Sequence, residues 1–85
     1  MPKSVFTDAY ASFLEVLISE RKAQGVSQVE LAARLGKTQS WVSTYERGVR
    51  RIDVIEFYAI ARKLRVPPAE LFAKVLLRLP DEVEI

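Results

Sequence analysis

Histidine and cysteine are both missing from this 85-residue chain, and each absence removes a class of chemistry. Without cysteine there are no disulfide staples, thiolate nucleophiles or zinc ribbons; without histidine the commonest general base and metal ligand is gone. Serines such as Ser40 and Ser43 have no imidazole to activate them, and no glycine-rich loop could cradle a phosphate. No catalytic residue, no cofactor and no metal is expected. Glycine occurs three times and proline four times beside an apolar share of 49%, which excludes a disordered or low-complexity linker. Apolar runs stop at four or five residues, too short for a membrane span or an export signal, so a cytoplasmic location is expected. At 9.7 kDa one small domain fits and a second does not.

The net charge of +2 is uninformative until the charges are placed. Residues 1–35 carry four basic and four acidic side chains, and residues 66–85 two basic and four acidic. The middle stretch, residues 36–65, carries seven basic against three acidic. Such a local excess is either a face for a polyanion or an ordinary solvated surface.

Helical punctuation recurs along the chain, and no alternating apolar run suggests a strand. A first helix runs from about Thr7, with Asp8 near its positive end, to Gln24 before Gly25; Phe6, Tyr10, Phe13, Leu14, Leu17 and Ile18 recur at steps of three and four. Ser27 with Glu30 reads as a capping box opening a second helix, which Gly36 closes. Thr38 caps a third, from Gln39 to about Arg47 before Gly48. Asp53 and Glu56 form an acidic box before Val54 to Leu64, whose inward face is expected to carry Ile55, Tyr58, Ala59 and Ala61. Pro67 and Pro68 start a last helix, lined by Leu71, Phe72, Val75, Leu76 and Leu79 until Pro80 stops it. The expected fold is all-α, a compact five-helix bundle occupying residues 1–80, followed by a short acidic tail at residues 81–85.

The stretch QVELAARLGKTQSWVSTYER, from Gln28 to Arg47, places two helices across a three-residue turn. Ala32 is small enough for a close crossing, while Leu31, Leu35, Val42 and Tyr45 face inward. Gln39, Ser40, Ser43, Thr44 and Arg47 then share the outer face. Uncharged hydrogen-bonding side chains flanked by cations match base edges in a major groove and the phosphates beside them.

These residues resemble the helix-turn-helix of the lambda repressor and Cro family, also called the xenobiotic-response-element family. The resemblance covers roughly Phe13 to Leu71: the SQVELA opening, the turn glycine, QSWVSTYERG, RRIDVIEF and ARKLRVPPAELF. Each piece is weak alone, but their order and spacing are specific. The resemblance implies a five-helix DNA-binding domain, commonly dimeric, acting in transcription. By position it implies that Gln39, Ser40 and Thr44 approach base edges. Gln28, Ser43, Arg47, Arg50 and Arg51 would contact the DNA backbone. Arg21 and Glu46 would form an internal ion pair between the first and third helices. Trp41 is open to two readings, contact with DNA or packing between the second and third helices, and Lys37 likewise to contact with DNA or packing. Lys37 departs from the usual apolar residue after the turn glycine, so its stem either lies along the surface or leaves a core position unfilled. Arg65 departs from the glycine that often ends the fourth helix.

The last helix carries more apolar residues than a fifth helix of such a bundle needs. Leu71, Phe72, Val75, Leu76, Leu77 and Leu79 cover most of its circumference, which points to a homodimer interface. The combined expectation is a cytoplasmic, nucleoid-associated transcriptional regulator. It would bind double-stranded DNA as a homodimer, most simply as a repressor on a palindromic operator. The competing reading is a protein-interaction module, antitoxin-like or polymerase-docking, built on the same helices.

Overall fold

The computed structural model describes residues 8–85; Phe6 and Thr7, assigned to the first helix from the sequence, lie outside them. Five helices follow one another: α1 Asp8–Ala23, α2 Gln28–Leu35, α3 Gln39–Glu46, α4 Val54–Lys63 and α5 Pro68–Leu76. No strand occurs among the described residues. Helices α2 and α3 pack on each other, α1 lies against α5 and α3, and α4 bridges α2 and α5. The core runs through all five helices, from Leu14 and Leu17 through Leu31, Val42, Tyr45 and Ile60 to Leu71 and Val75. Helices of eight residues such as α2 and α3 are marginal alone in water, so this shared core is what keeps them folded.

Capping chemistry sets where the helices begin. Ser27, Thr38 and Asp53 each accept a backbone N–H from the residue three positions on. Only Asp53 completes a reciprocal box, with the Glu56 carboxylate accepting the Asp53 N–H at 2.8 Å. The box expected at Ser27 is half formed, because the Glu30 carboxylate is turned toward Arg34. Four helices end in one pattern, closed by paired backbone hydrogen bonds such as Arg65 N–H to Arg62 O and Val66 N–H to Ala61 O, both 3.0 Å. Gly25, Gly36 and Gly48 supply the left-handed residue in three of them; in the fourth it is Arg65, at φ 63°.

Two expectations are corrected. Along α4, Ile55 and Tyr58 are 73% and 52% exposed and Ala59 is half-buried, whereas Ile60 and Ala61 are fully covered. The sequence VIEFYAIA is apolar around most of its circumference, so two stripes compete. The stripe through Tyr58 continues to the charged Arg62; the stripe through Phe57, Ile60 and Ala61 continues to Leu64, 1% exposed, and that one faces the core. Helix α5 ends at Leu76 rather than Leu79. Pro80 pushes the residue before it out of the helical region, and the chain tightens first into three-residue bonds, Arg78 N–H to Val75 O and Leu79 N–H to Leu76 O.

Ion pairs fasten α5 and the turn after it to α1: Lys74 of α5 reaches the buried Glu20 carboxylate at 2.6 Å, and Arg78, just beyond α5, reaches Glu15. The hydrogen bond from Lys74, then that from Gln24, holds the Glu20 carboxyl below its usual pKa of 4.5; the bond from Arg50, then the Asp53 N–H, does the same for Glu56. A depressed carboxylate stabilises the fold above its unfolded pKa and ceases to as pH falls through its folded value. Urea midpoints should therefore decline as pH drops below about 4.5, the unfolded carboxylate range. In Lys74→Met the midpoint at neutral pH should be lower and its acid decline shallower. A second expectation concerns the fourth helix end. The left-handed conformation strains an L-residue by roughly 1–2 kcal/mol, partly offset by the entropy glycine loses. Arg65→Gly should accordingly raise stability by up to about 1 kcal/mol, read as a higher urea midpoint.

Candidate nucleic-acid interface

The α2 and α3 pair forms around a turn of three residues, Gly36 to Thr38. Leu31 and Val42 are completely buried between the helices, and Ala32, at 2% exposure, allows their close approach. Gly36 at φ 69° turns the chain out of α2, and the Thr38 hydroxyl accepts the Trp41 N–H at 3.1 Å to start α3. With Val42, Tyr45 and Glu46 committed inward, Gln39, Ser40 and Arg47 are left exposed and Ser43 and Thr44 half-buried on the opposite side. The Thr44 hydroxyl donates to Ser40 O at 2.6 Å, which leaves its oxygen available as an acceptor. Arg47 Nε donates to the Ser43 hydroxyl at 3.3 Å along the same face.

A buried ion pair sits beneath this face. Arg21 Nε and Nη2 donate to the two oxygens of Glu46 at 2.7 and 3.1 Å, and Arg21 Nη1 donates to Val26 O at 2.8 Å. The pair joins α1 to α3 as the resemblance implied. Gln28, expected from the resemblance to contact the DNA backbone, donates its amide to Glu46 Oε1 at 2.8 Å and accepts the Gln39 amide N–H at 2.7 Å. Four side chains thus run in an unbroken line from the core to the exposed start of α3.

The cations around the face are held by aromatic rings and carboxylates. Trp41 is half-buried, edge-on to Tyr45, so its packing is partly inward. Its ring also lies under Lys37 at 5.6 Å and Arg50 at 5.3 Å. The Lys37 stem is therefore laid along the surface toward an aromatic face. Arg50 is further fixed by the Glu56 carboxylate at 2.6 Å. Arg51 diverges from its neighbour and stacks on Tyr10, at 4.3 Å, on the α1 side. The Tyr45 hydroxyl is buried without a hydrogen-bond partner among the described residues, and burial pushes its phenol above the usual value.

On α5 the expected interface set divides. Leu71 and Val75 are fully buried in the chain's own core, because they are the α5 positions that meet α1 and α4, and neither can face a partner. Phe72, Leu76 and Leu77 are 47%, 54% and 86% exposed, and Leu79 is half-buried. Phe72 also packs edge-on against Phe57 of α4. Beside them a groove of about 430 Å³ runs between α1 and α4, lined by Tyr10, Phe13, Phe57 and Phe72, with Val83 and Ile85 of the tail along it.

The links made by the glutamines were not legible in the sequence, since they depend on rotamers across α2 and α3. The pairing of Lys37 and Arg50 over Trp41 had a faint signal in the lysine that replaces an apolar residue. No described helix is long and apolar enough to cross a membrane, and no described cluster of acidic side chains could hold a metal.

Residues 17–71 match the helix-turn-helix family, and the chain belongs to it, in its lambda repressor-like or xenobiotic-response-element branch. That is a family of DNA-binding regulators, not enzymes. Among its relatives is an uncharacterized HTH-type transcriptional regulator, y4dJ, from Sinorhizobium fredii (strain NBRC 101917 / NGR234), 41% identical over 51 residues, which are 60% of this chain and 66% of that protein. The chain thus spans just under two thirds of the length of that relative. An XRE-family like protein from Pseudomonas syringae pv. tomato str. DC3000 superposes with a TM-score of 0.77 at 43% identity, over 85% of this chain and 88% of that one. The clp gene regulator ClgR from C. glutamicum superposes with a TM-score of 0.75, over 91% of this chain and all of that one, and at 18% identity it shares the fold alone.

Removing one member of the buried pair strands the other in a dry site, at about 3 kcal/mol, whereas removing both strands neither. Arg21→Met and Glu46→Gln should each lower the urea midpoint strongly, and the double variant should lose less than the sum. Strict additivity would show that the two side chains do not interact.

Proposed function

We propose that this chain is a sequence-specific regulator of transcription that binds duplex DNA as a homodimer and acts as a repressor on a palindromic operator. The observation that carries the reading is the outward face of α3, where Gln39, Ser40 and Thr44 are uncharged hydrogen-bonding groups that the core does not use. Those three would meet base edges. Ser43, Arg47 and Arg50, with Lys37 beside them, are suited to the flanking phosphates, and Gln28 to the phosphate nearest the start of α2. Arg51, turned toward Tyr10, fits a more distant backbone contact. Dimerisation is supported by the apolar surface of Phe72, Leu76 and Leu77, which the chain's own core leaves open. The setting would be the cytoplasm, at the nucleoid.

Selection from a random duplex pool tests the whole reading, because a symmetric dimer should return a palindrome with half-sites roughly 34 Å apart, one helical turn. A single unrepeated half-site, or no enrichment, would overturn it. Leu76→Glu should convert the dimer to monomer in light scattering. Gln39→Ala should relax preference at one base pair per half-site and leave the salt dependence nearly unchanged. Arg50→Ala should weaken binding to all sequences alike and make log K less steep against log salt by about 0.9 for each phosphate that is no longer neutralised.

A further inference from the structure

A glutamine amide can rotate half a turn at its end and exchange its donor and acceptor, so an exposed Gln39 by itself would present either edge to a base. The line of side chains behind it removes that freedom. The Glu46 carboxylate has only acceptors to offer. It is held by two nitrogens of Arg21, and its side chain is 4% exposed. Gln28 must therefore turn its nitrogen toward Glu46, at 2.8 Å, which directs its carbonyl away. That carbonyl can be matched only by a donor, and it receives the Gln39 nitrogen at 2.7 Å. What remains of the Gln39 amide is its carbonyl and its second N–H, an acceptor beside a donor, the combination that adenine N6 and N7 require.

We infer that Glu46 is a specificity-positioning residue: through Gln28 it fixes the amide polarity with which Gln39 meets a base. The inference rests on the base-reading role of Gln39 proposed above. The buried charge acts as a reference that cannot flip, and each amide copies its sign outward. Arg21 contributes by holding the carboxylate in place. A role in stability alone would leave the identity of the preferred base unchanged; a polarity relay would not. In Glu46→Gln, the new carbonyl stays with the Arg21 guanidinium and the new NH2 faces Gln28. Gln28 then turns its carbonyl inward and its nitrogen outward, and Gln39 must answer with its own carbonyl.

The test uses the full chain with wild type, Gln39→Ala, Gln28→Met and Glu46→Gln. Base preference is measured by competition between duplexes that differ only at the pair read by Gln39. Side-chain amide 15N order is measured by NMR in the DNA-free protein. Gln28→Met leaves the Arg21 to Glu46 pairing intact, so it should keep the fold. It should weaken binding to all sequences alike through the phosphate contact proposed for Gln28, without changing the salt slope because no charge is removed. It should lose about tenfold in discrimination at that pair alone and loosen the Gln39 amide. Glu46→Gln should change which base is preferred there and not at other positions. Wild-type discrimination and an equally ordered Gln39 amide in Gln28→Met would overturn the relay, as would an unchanged preference in a folded Glu46→Gln. Should Glu46→Gln not fold, Gln28→Met decides. If Gln39→Ala leaves preference untouched, base reading by Gln39 fails instead. The relay then stands or falls on the NMR measurement: an unchanged Gln39 amide in Gln28→Met overturns it.

Discussion

The buried contact between Arg21 and Glu46 is the point to which the rest of this small structure is tied. A guanidinium fork engages both carboxylate oxygens with two of its nitrogens and Val26 O with a third. It therefore fixes α1, the turn that follows it, and the last residue of α3 at once. A buried ion pair is weak evidence for net stability, since desolvation offsets much of the attraction. Its value lies in geometry. Apolar contacts between two-turn helices tolerate small rotations; a forked hydrogen bond of fixed spacing does not. With the end of α3 held from α1, and its start held by the Thr38 cap, the outward face of α3 has one orientation relative to the rest of the chain.

The surrounding polar groups extend that constraint. Gln28 attaches the start of α2 to the same carboxylate. At the other end of α2, Arg34 donates to Lys63 O at 2.8 Å, satisfying a carbonyl at the end of α4 while it pairs with Glu30. Helix α4 in turn begins at a box whose Glu56 also holds Arg50. The same carboxylate thus starts a helix and orders a cation beside α3. Lys37 and Arg50 converge on one indole ring, so the positive charge there is arranged before any polyanion arrives, and less side-chain entropy remains to be given up on binding.

Most of the architecture could be read from punctuation. Ser27, Thr38, Asp53, the three glycines and the paired prolines mark helix ends by local chemistry that tertiary packing had no reason to override. Phase was harder where composition gave no contrast. In α4 the residues Ile55, Phe57, Tyr58 and Ile60 are all apolar, and only Arg62 against Leu64 at the far end separates the exposed stripe from the buried one. In α5 the surplus of leucines was legible, but its division was not. Leu71 and Val75 serve the chain's own core, and Phe72, Leu76 and Leu77 do not, because the angle at which α5 meets α1 and α4 decides it. The site followed the same rule. Residue types on α3 were legible from the helical repeat, whereas the links among Gln28, Gln39 and Glu46 required two helices to be placed to within a hydrogen bond.

On the proposed function, holding and reading are separate jobs done by adjacent residues. Reading requires groups whose donors and acceptors discriminate between bases, and Gln39, Ser40 and Thr44 have that character without carrying charge. Holding requires charge, and the cations stand at the margins of the face rather than within it. A cation that meets only phosphates binds every sequence more tightly and favours none. Neutral groups alone would gain little from encounter at a distance. The weakness of a neutral face is that amides can flip and hydroxyls can rotate, so recognition by such groups depends on what orders them from behind. In this chain the Thr44 hydroxyl is ordered by the helix backbone at Ser40, and the Gln39 amide by a line of hydrogen bonds that ends on a buried carboxylate. A buried carboxylate is in this way connected, through Gln28, to the exposed amide proposed to meet a base.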